Sequence, residues 1–157
     1  MKQVVIYTDG ACKGNPGPGA FGAVLMSGVH RKEISVAYRL TTNNRMELLA
    51  AISALELLQS PCRVELHSDS KYLVQAINDH WISGWQKKGW INSKKESVKN
   101  QDLWRRLLSV MEPHDIIWHW VKGHAGNKEN ERCDVLANEA IEAGNFLEDE
   151  GFGETNF

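Results

Sequence analysis

The sequence predicts an α/β fold: a mixed five-stranded sheet, made of an antiparallel meander plus parallel strands, flanked by helices. Two observations carry this expectation. From the N-terminus to Leu40, three strand-forming runs follow one another, joined by turns rich in glycine and proline. Beyond Thr41, helical runs alternate with two further strand-like runs, a pattern that calls for crossovers and parallel pairing.

The meander comprises Gln3–Cys12, Ala20–Ser27 and Arg31–Leu40. Between its first two strands, Gly17-Pro18-Gly19-Ala20-Phe21-Gly22 matches the G-x-G-x-x-G dinucleotide fingerprint letter for letter. That fingerprint works only where a strand hands over to a helix, because the pyrophosphate rests on the helix N-terminus. Here the glycines lead into AFGAVLM, another strand, and no Gly-Lys-Ser/Thr appears. They are turn chemistry. NNRMELLAAISALELLQS reads as a helix, with Asn43 or Asn44 as its cap and Pro61 beyond its end. CRVELHSD is the fourth strand and SKYLVQAIND a helix capped by Ser70. HWISGWQKKGW is short, aromatic and broken by Gly84 and Gly89. VKNQDLWRRLLSVM is a helix stopped near Pro113, and DIIWHWV is the fifth strand. After the loop KGHAGN, KENERCDVLANEAIEAG is a last helix ended by Gly144. No repeat or linker divides the chain. The reading is one domain over residues 1–143 and an acidic, flexible tail over residues 144–157.

Composition sets the broad class. A hydrophobic content of 42% and a charged content of 24% are those of a soluble globular chain of 157 residues. No apolar stretch approaches a membrane span. The N-terminal apolar run is short and ends in Asp9, unlike a signal peptide. Cys12, Cys62 and Cys133 are scattered and odd in number, which predicts free thiols and a cytoplasmic location. No C-x-x-C or H-E-x-x-H spacing suggests zinc. The net charge of −2 hides an asymmetry: Trp85–Arg106 holds seven basic and two acidic residues, and no Lys or Arg follows Arg132. A basic segment in a mildly acidic chain points to a polyanionic partner at one place.

Four acids fall at element ends. Asp9 and Asp69 each finish a strand, in IYTD and ELHSD, where open α/β sheets place their sites. Glu47 lies in the first turn of its helix, on the same side as Ala50, Ala51, Ala54 and Leu58. An ionised carboxylate on an apolar face is costly unless something pairs with it. Asp134 shares a side with Ala137 and Ile141, but also with Asn138. Taken singly, each acid is ordinary turn or cap chemistry. Taken together, acids that converge with no basic run beside them would repel, and hard divalent cations would relieve that repulsion. Two such ions about 3.5–4 Å apart make the two-metal site of nucleases and polymerases. His124, between two glycines in KGHAG, is placed to shuttle protons.

YTDGACKGNPGPGAFGA, TTNNRMELLAAISALE, HSDSKYLVQAI, KKGW, VKNQDLW and WVKGHAGNKENERCDVLAN together resemble the bacterial type-1 ribonuclease H family, in order and over about Lys2 to Ala143. The resemblance implies the ribonuclease H-like fold. It also implies a monomeric endonuclease that cuts the RNA strand of RNA–DNA hybrids, leaving 5′-phosphate and 3′-hydroxyl ends. It implies Mg²⁺, with Mn²⁺ as a substitute, and two ions with substrate bound. By motif, Asp9, Glu47, Asp69 and Asp134 are the metal-binding carboxylates, and His124 assists proton transfer or product release. Asn15, Asn43 and Asn44 meet the minor groove, where the 2′-OH distinguishes RNA from DNA. Thr42 and Asn100 belong to a DNA-phosphate pocket. The basic segment resembles the family's basic protrusion, in which Trp81, Trp85 and Trp90 interleave with Lys87, Lys88, Lys94, Lys95 and Lys99. The lysines hold phosphates and an indole packs on a sugar; the plainer alternative makes the tryptophans a small local core. The chain departs from the family at two places. Leu40 stands where some members carry an Arg of the phosphate pocket, with Arg39 beside it facing the other way. Lys71 stands where Gln is common, exchanging an amide for a cation that adds phosphate affinity. The alternative function is a catalytically silent hybrid-binding module. The four carboxylates and His124 favour the enzyme, and the basic segment disfavours a junction resolvase.

Overall fold

The central strand is the first. VVIYTD is a β-branched and aromatic run closed by two polar residues, and in the computed structural model, which describes residues 1–153, it lies within β1 (Lys2–Cys12). β1 pairs antiparallel with β2 (Gly17–Ser27), and β2 pairs antiparallel with β3 (His30–Thr41). On its other side β1 pairs parallel with β4 (Cys62–Ser68), which pairs parallel with β5 (Asp115–Trp120). The meander and both crossover strands are as expected. A sixth strand, β6 (Phe146–Leu147), adds to the far edge beside β3, giving the order β5-β4-β1-β2-β3-β6.

The helices are α1 (Asn43–Glu56), α2 (Lys71–Asn78), α3 (Trp81–Lys87), α4 (Gln101–Met111) and α5 (Lys128–Ala143). Alternation along the strands sends residues to two layers. Phe21 and Ala23 join the main core with α1, α2 and α4, whereas Ala20 packs with Ala37 and with Ala137 of α5 on the opposite face. α1 is buried nearly all round; Ala50, Ala51 and Ala54 have no exposure. Trp104 of α4 is fully buried, and its indole donates to the Tyr72 hydroxyl at 3.0 Å.

Three expectations are corrected. The cap of α1 is Thr42, not Asn43 or Asn44: its backbone is extended and its hydroxyl accepts from the Arg45 N–H at 3.2 Å. Both asparagines already have helical backbone, so neither side chain can close the first turn. The segment read as broken at Gly84 forms α3 through that glycine, with Ile82 buried. The acidic end does not leave the domain at residue 144. β6 pairs with Ala37 and Tyr38 of β3, and the Asp149 side chain is 4% exposed.

The anchor of that segment is Arg45. It lies on α1 with a side chain only 3% exposed. Its guanidinium donates to Asp149 at 2.7 and 3.0 Å and to Asp102 at 2.9 and 2.7 Å. The Thr41 hydroxyl also donates to Asp149, at 2.7 Å. A buried guanidinium is tolerated only when its donors are met, and here two carboxylates meet them. Charge counting along the sequence saw a solvated acidic end because it could not see this cation. Residues 154–157 of the expected tail lie outside the described residues.

Removing one partner of a buried ion leaves its charge uncompensated. Asp149→Ala is therefore expected to destabilise the fold by about 2–4 kcal/mol, lowering Tm by about 4–15 °C. Arg39→Ala breaks the exposed Arg39–Glu148 pair, 64% and 67% exposed, and a distant contact of the guanidinium with the Phe146 ring at 6.0 Å, and should cost less than about 1 kcal/mol. Thermal unfolding of the two variants beside the parent checks both, and equal losses would contradict the burial argument.

Candidate active site

Three acids converge where the β1–β4 pairing ends; Asp9 does not finish its strand as expected, because β1 runs on against β2 to Cys12. The parallel register aligns Thr8 with Ser68, so the next residues, Asp9 and Asp69, emerge side by side. Glu47 reaches the same point from the first turns of α1. One oxygen from each of these three carboxylates lies within 4.8 Å of the others. The close approach depends on two glycines. A Cβ on Gly10 would lie 2.8 Å from the Glu47 backbone nitrogen, and one on Gly22 would lie 2.3 Å from the Cys133 carbonyl. Gly22 is the partner of Asp9 across the β1–β2 pair. So α1 seats against β1 at Gly10, and α5 seats against β2 at Gly22. The second contact brings Asp134, the residue after Cys133, toward Asp9 from the other face.

All four acids line one open depression of ≈ 450 Å³, together with Asn43, Asn44, Lys71, Tyr72 and His124. Asp134 stands outside the tight trio; Asn138 donates to its carboxylate at 3.2 Å. His124 is exposed, in a loop, with φ 55° in the left-handed region. Lys71 carries its ammonium 5.1 Å from the centre of the Trp120 ring, whose indole N–H donates to the Asp69 carbonyl at 3.1 Å.

The electrostatics are those of acids held together against their charge. Asp9 is 5% exposed and Glu47 4%. Burial, and then the neighbouring Asp69 and Asp134, push Asp9 up to about 8. Burial, then Asp9 and Asp69, push Glu47 well above the usual carboxylate range. Glu47 Oε1 is buried with no hydrogen-bond partner. An all-carboxylate donor set with an orphaned oxygen fits a hard divalent cation, which accepts oxygen ligands and neutralises their charge. Asp9, Glu47 and Asp69 are thus the three carboxylates placed to hold such an ion together.

The other expected substrate residues fall into two groups. Asn15, Thr42, Asn44, Lys99 and Asn100 line a second depression of ≈ 500 Å³, whose far wall is Gly151 and Phe152. The Asn15 side chain accepts from the Asn43 N–H at 3.0 Å, tying the β1–β2 turn to the start of α1. The Asn100 amide accepts from Arg45 at 3.4 Å and donates to the Tyr72 hydroxyl at 3.1 Å. Leu40 is 49% exposed, and Arg39 is engaged with Glu148.

The basic segment brings Lys87, Lys88, Lys94, Lys95 and Lys99 to the surface, all exposed. Its tryptophans divide. Trp81 is 40% exposed, whereas Trp90 is 6% exposed and lies in the main core. Trp85 is half-buried between them, 6.4 Å from each ring and 5.6 Å from Trp104. The local-core alternative therefore describes Trp90 and most of Trp85, and only Trp81 offers an open ring face. Sequence reading missed Arg45, Tyr72 and Trp120. For Arg45 a signal existed: it is the one cation in the helix NNRMELLAAISALE, which is rich in apolar residues.

The raised acids have a stability consequence. Between pH 3.8 and about 8 the folded chain holds a proton on Asp9 that the unfolded chain has released. Stability falls as pH rises through that window. Asp9→Asn removes the effect, so in the metal-free protein at pH 8 it should raise Tm by about 3–10 °C. The gain should shrink toward pH 4, and Mg²⁺ should narrow it at pH 8 by stabilising the parent alone. Melting curves with and without chelator measure this; an Asn variant no more stable than its parent at pH 8 would discard the repulsion.

Comparison with known proteins agrees with this geometry. A family model for RNase H matches residues 1–142. The ribonuclease H of Syntrophus aciditrophicus is 59% identical over 152 residues, which are 97% of this chain and 88% of that protein. Among solved structures, LC9-RNase H1, a type 1 RNase H with the type 2 active-site motif, is similar with a TM-score of 0.82 and 30% identity. That match covers 91% of this chain and 74% of the other. LC11-RNase H1, solved in complex with an RNA/DNA hybrid, has a TM-score of 0.70 and 26% identity, covering 89% and 97%. A family-model match over residues 1–142, and a ribonuclease H 59% identical over 97% of this chain, establish that the chain belongs to the RNase H family of ribonucleases.

Proposed function

We propose that the chain hydrolyses the RNA strand of RNA–DNA hybrids, using divalent ions held by Asp9, Glu47, Asp69 and Asp134. One observation carries the reading: three carboxylates converge within 4.8 Å in an open depression whose rim bears asparagine side chains. A similar protein bound to an RNA/DNA hybrid supports the substrate. The ions are Mg²⁺, with Mn²⁺ as substitute, two with substrate bound. When bound, they supply an activated water and charge stabilisation at the leaving oxygen, which gives 5′-phosphate and 3′-hydroxyl ends.

The chain's own residues do the rest. Asn15, Asn43 and Asn44 offer amides to the minor groove, where the 2′-OH marks the RNA strand. Thr42 and Asn100 hold a phosphate of the DNA strand in the second depression. Lys87, Lys88, Lys94, Lys95 and Lys99 hold further phosphates, with the open face of Trp81 against a sugar. Exposed His124, beside the carboxylates, moves a proton on or off the leaving oxygen. The protein works as a cytoplasmic monomer; Cys12, Cys62 and Cys133 are free thiols, and no helix among the described residues is long and apolar enough to cross a membrane.

The test is cleavage of labelled hybrid, double-stranded RNA and double-stranded DNA, each with and without Mg²⁺. Only hybrid with Mg²⁺ should be cut, and hybrid binding without cutting would instead identify a silent binding module. Asp69→Asn should abolish cleavage, while His124→Ala should slow it by roughly 10²–10⁴-fold. Replacing Lys87, Lys88, Lys94 and Lys95 by Ala should raise KM more than it lowers kcat. Counterion release of about 0.9 per phosphate contact on B-DNA should also make the salt dependence of hybrid binding shallower. An unchanged KM and salt slope would return those lysines to a merely solvated face.

A further inference from the structure

Trp120 closes β5 beside the acidic depression and has no part in the roles above. It is 45% exposed, a large apolar ring left in the open. Its two contacts both lead to the site: the indole N–H holds the Asp69 carbonyl, and the ring face holds the Lys71 ammonium. Lys71 is the one lysine or arginine lining the depression with Asp9, Glu47, Asp69 and Asp134. Among the described residues it forms no ion pair with any of them. It is also the first residue of α2, where the helix dipole presents positive charge and a cation is disfavoured. A cation kept at an unfavourable helix end, next to carboxylates that it does not pair with, is being held for something else.

We propose that Trp120 is a positioning residue: it holds the Lys71 ammonium on its indole, at the rim of the site, where it meets a backbone phosphate of the bound hybrid. The proposal rests on the hybrid-cleaving reading above. A cation over an aromatic face keeps its outer hydrogens free for an anion. Off the indole, the flexible lysine stem lets the ammonium fall onto the carboxylates. It would then compete with the metal for the same oxygens and abandon the phosphate. The indole therefore serves two bindings at once, hybrid and divalent ion, through one side chain.

The experiment is hybrid binding by fluorescence anisotropy, in chelator so that no cutting occurs, at several salt concentrations. Lys71→Gln should weaken binding by about three- to tenfold at about 0.1 M salt and reduce the log–log salt slope by about 1. Trp120→Leu should weaken it similarly, while Trp120→Phe, which keeps a ring face, should retain most of the affinity. In the Lys71→Gln background, Trp120→Leu should cost nothing further. With Mg²⁺ present, Trp120→Leu should raise the ion concentration needed for half-maximal cleavage, and the double variant should not. An unchanged slope in Lys71→Gln overturns the phosphate contact. A Trp120→Leu loss that is equal with and without Lys71, or matched by Trp120→Phe, overturns the positioning role. A parent protein that does not bind hybrid overturns the reading beneath both.

Discussion

Mutual repulsion among Asp9, Glu47 and Asp69 is the constraint around which this fold is arranged. Asp9 and Glu47, buried this close to each other and to Asp69, favour their protonated forms, so the trio must be forced together by structure made elsewhere. The parallel β1–β4 register supplies two of them, side by side just past its last pair, Thr8 and Ser68. Gly10 lets α1 bring in the third, Glu47, and Gly22 lets α5 bring the neighbouring Asp134, because each helix sits closer to the sheet than any side chain would permit. The glycines that resemble a nucleotide loop in the sequence are thus part of the sheet. Gly17, Gly19 and Gly22 all lie within β2 rather than in the turn before it, and Gly22, with Gly10 outside the motif, sets how near the helices come to Asp9.

A pocket of negative charge is a poor host for a polyanion, and the molecule separates the two tasks. Exposed lysines around α3 face solvent, away from the acids, and an aromatic column links them to the site. Trp90 packs on Trp85, Trp85 on Trp104, and Trp104 bonds the Tyr72 hydroxyl at the edge of the acidic depression. The same hydroxyl accepts from Asn100. The tryptophans of the basic segment therefore contribute more as a rigid mount for the lysines than as surfaces for sugars.

Much of this was legible in the sequence because it depends on local pattern. The meander, the two crossovers and Asp69 after β4 follow from periodicity and turn residues, and Glu47 betrayed itself by its apolar neighbours, whereas Asp9 lies inside β1 and not at its end. What escaped depends on partners far apart in the chain. Thr42 rather than Asn43 caps α1 because backbone geometry, and not residue preference, decides where the first helical residue falls. Trp90 is buried because α4 and α3 close over it, which a run of alternating tryptophan and lysine cannot reveal. The acidic end looked solvated because its cation, Arg45, stands 104 residues earlier.

That long-range pair also bears on how the protein is made. On a ribosome adding about 5–20 residues per second, α1 is complete while Asp149 is still to be synthesised, 104 positions behind Arg45. For about 5–20 s the buried guanidinium has only Asp102, or nothing, to meet its donors. The central helix of the core is thus left electrically unfinished until nearly the whole domain has been translated. A nascent chain interrupted before residue 149 would carry an intact set of site carboxylates on a scaffold that lacks its lock.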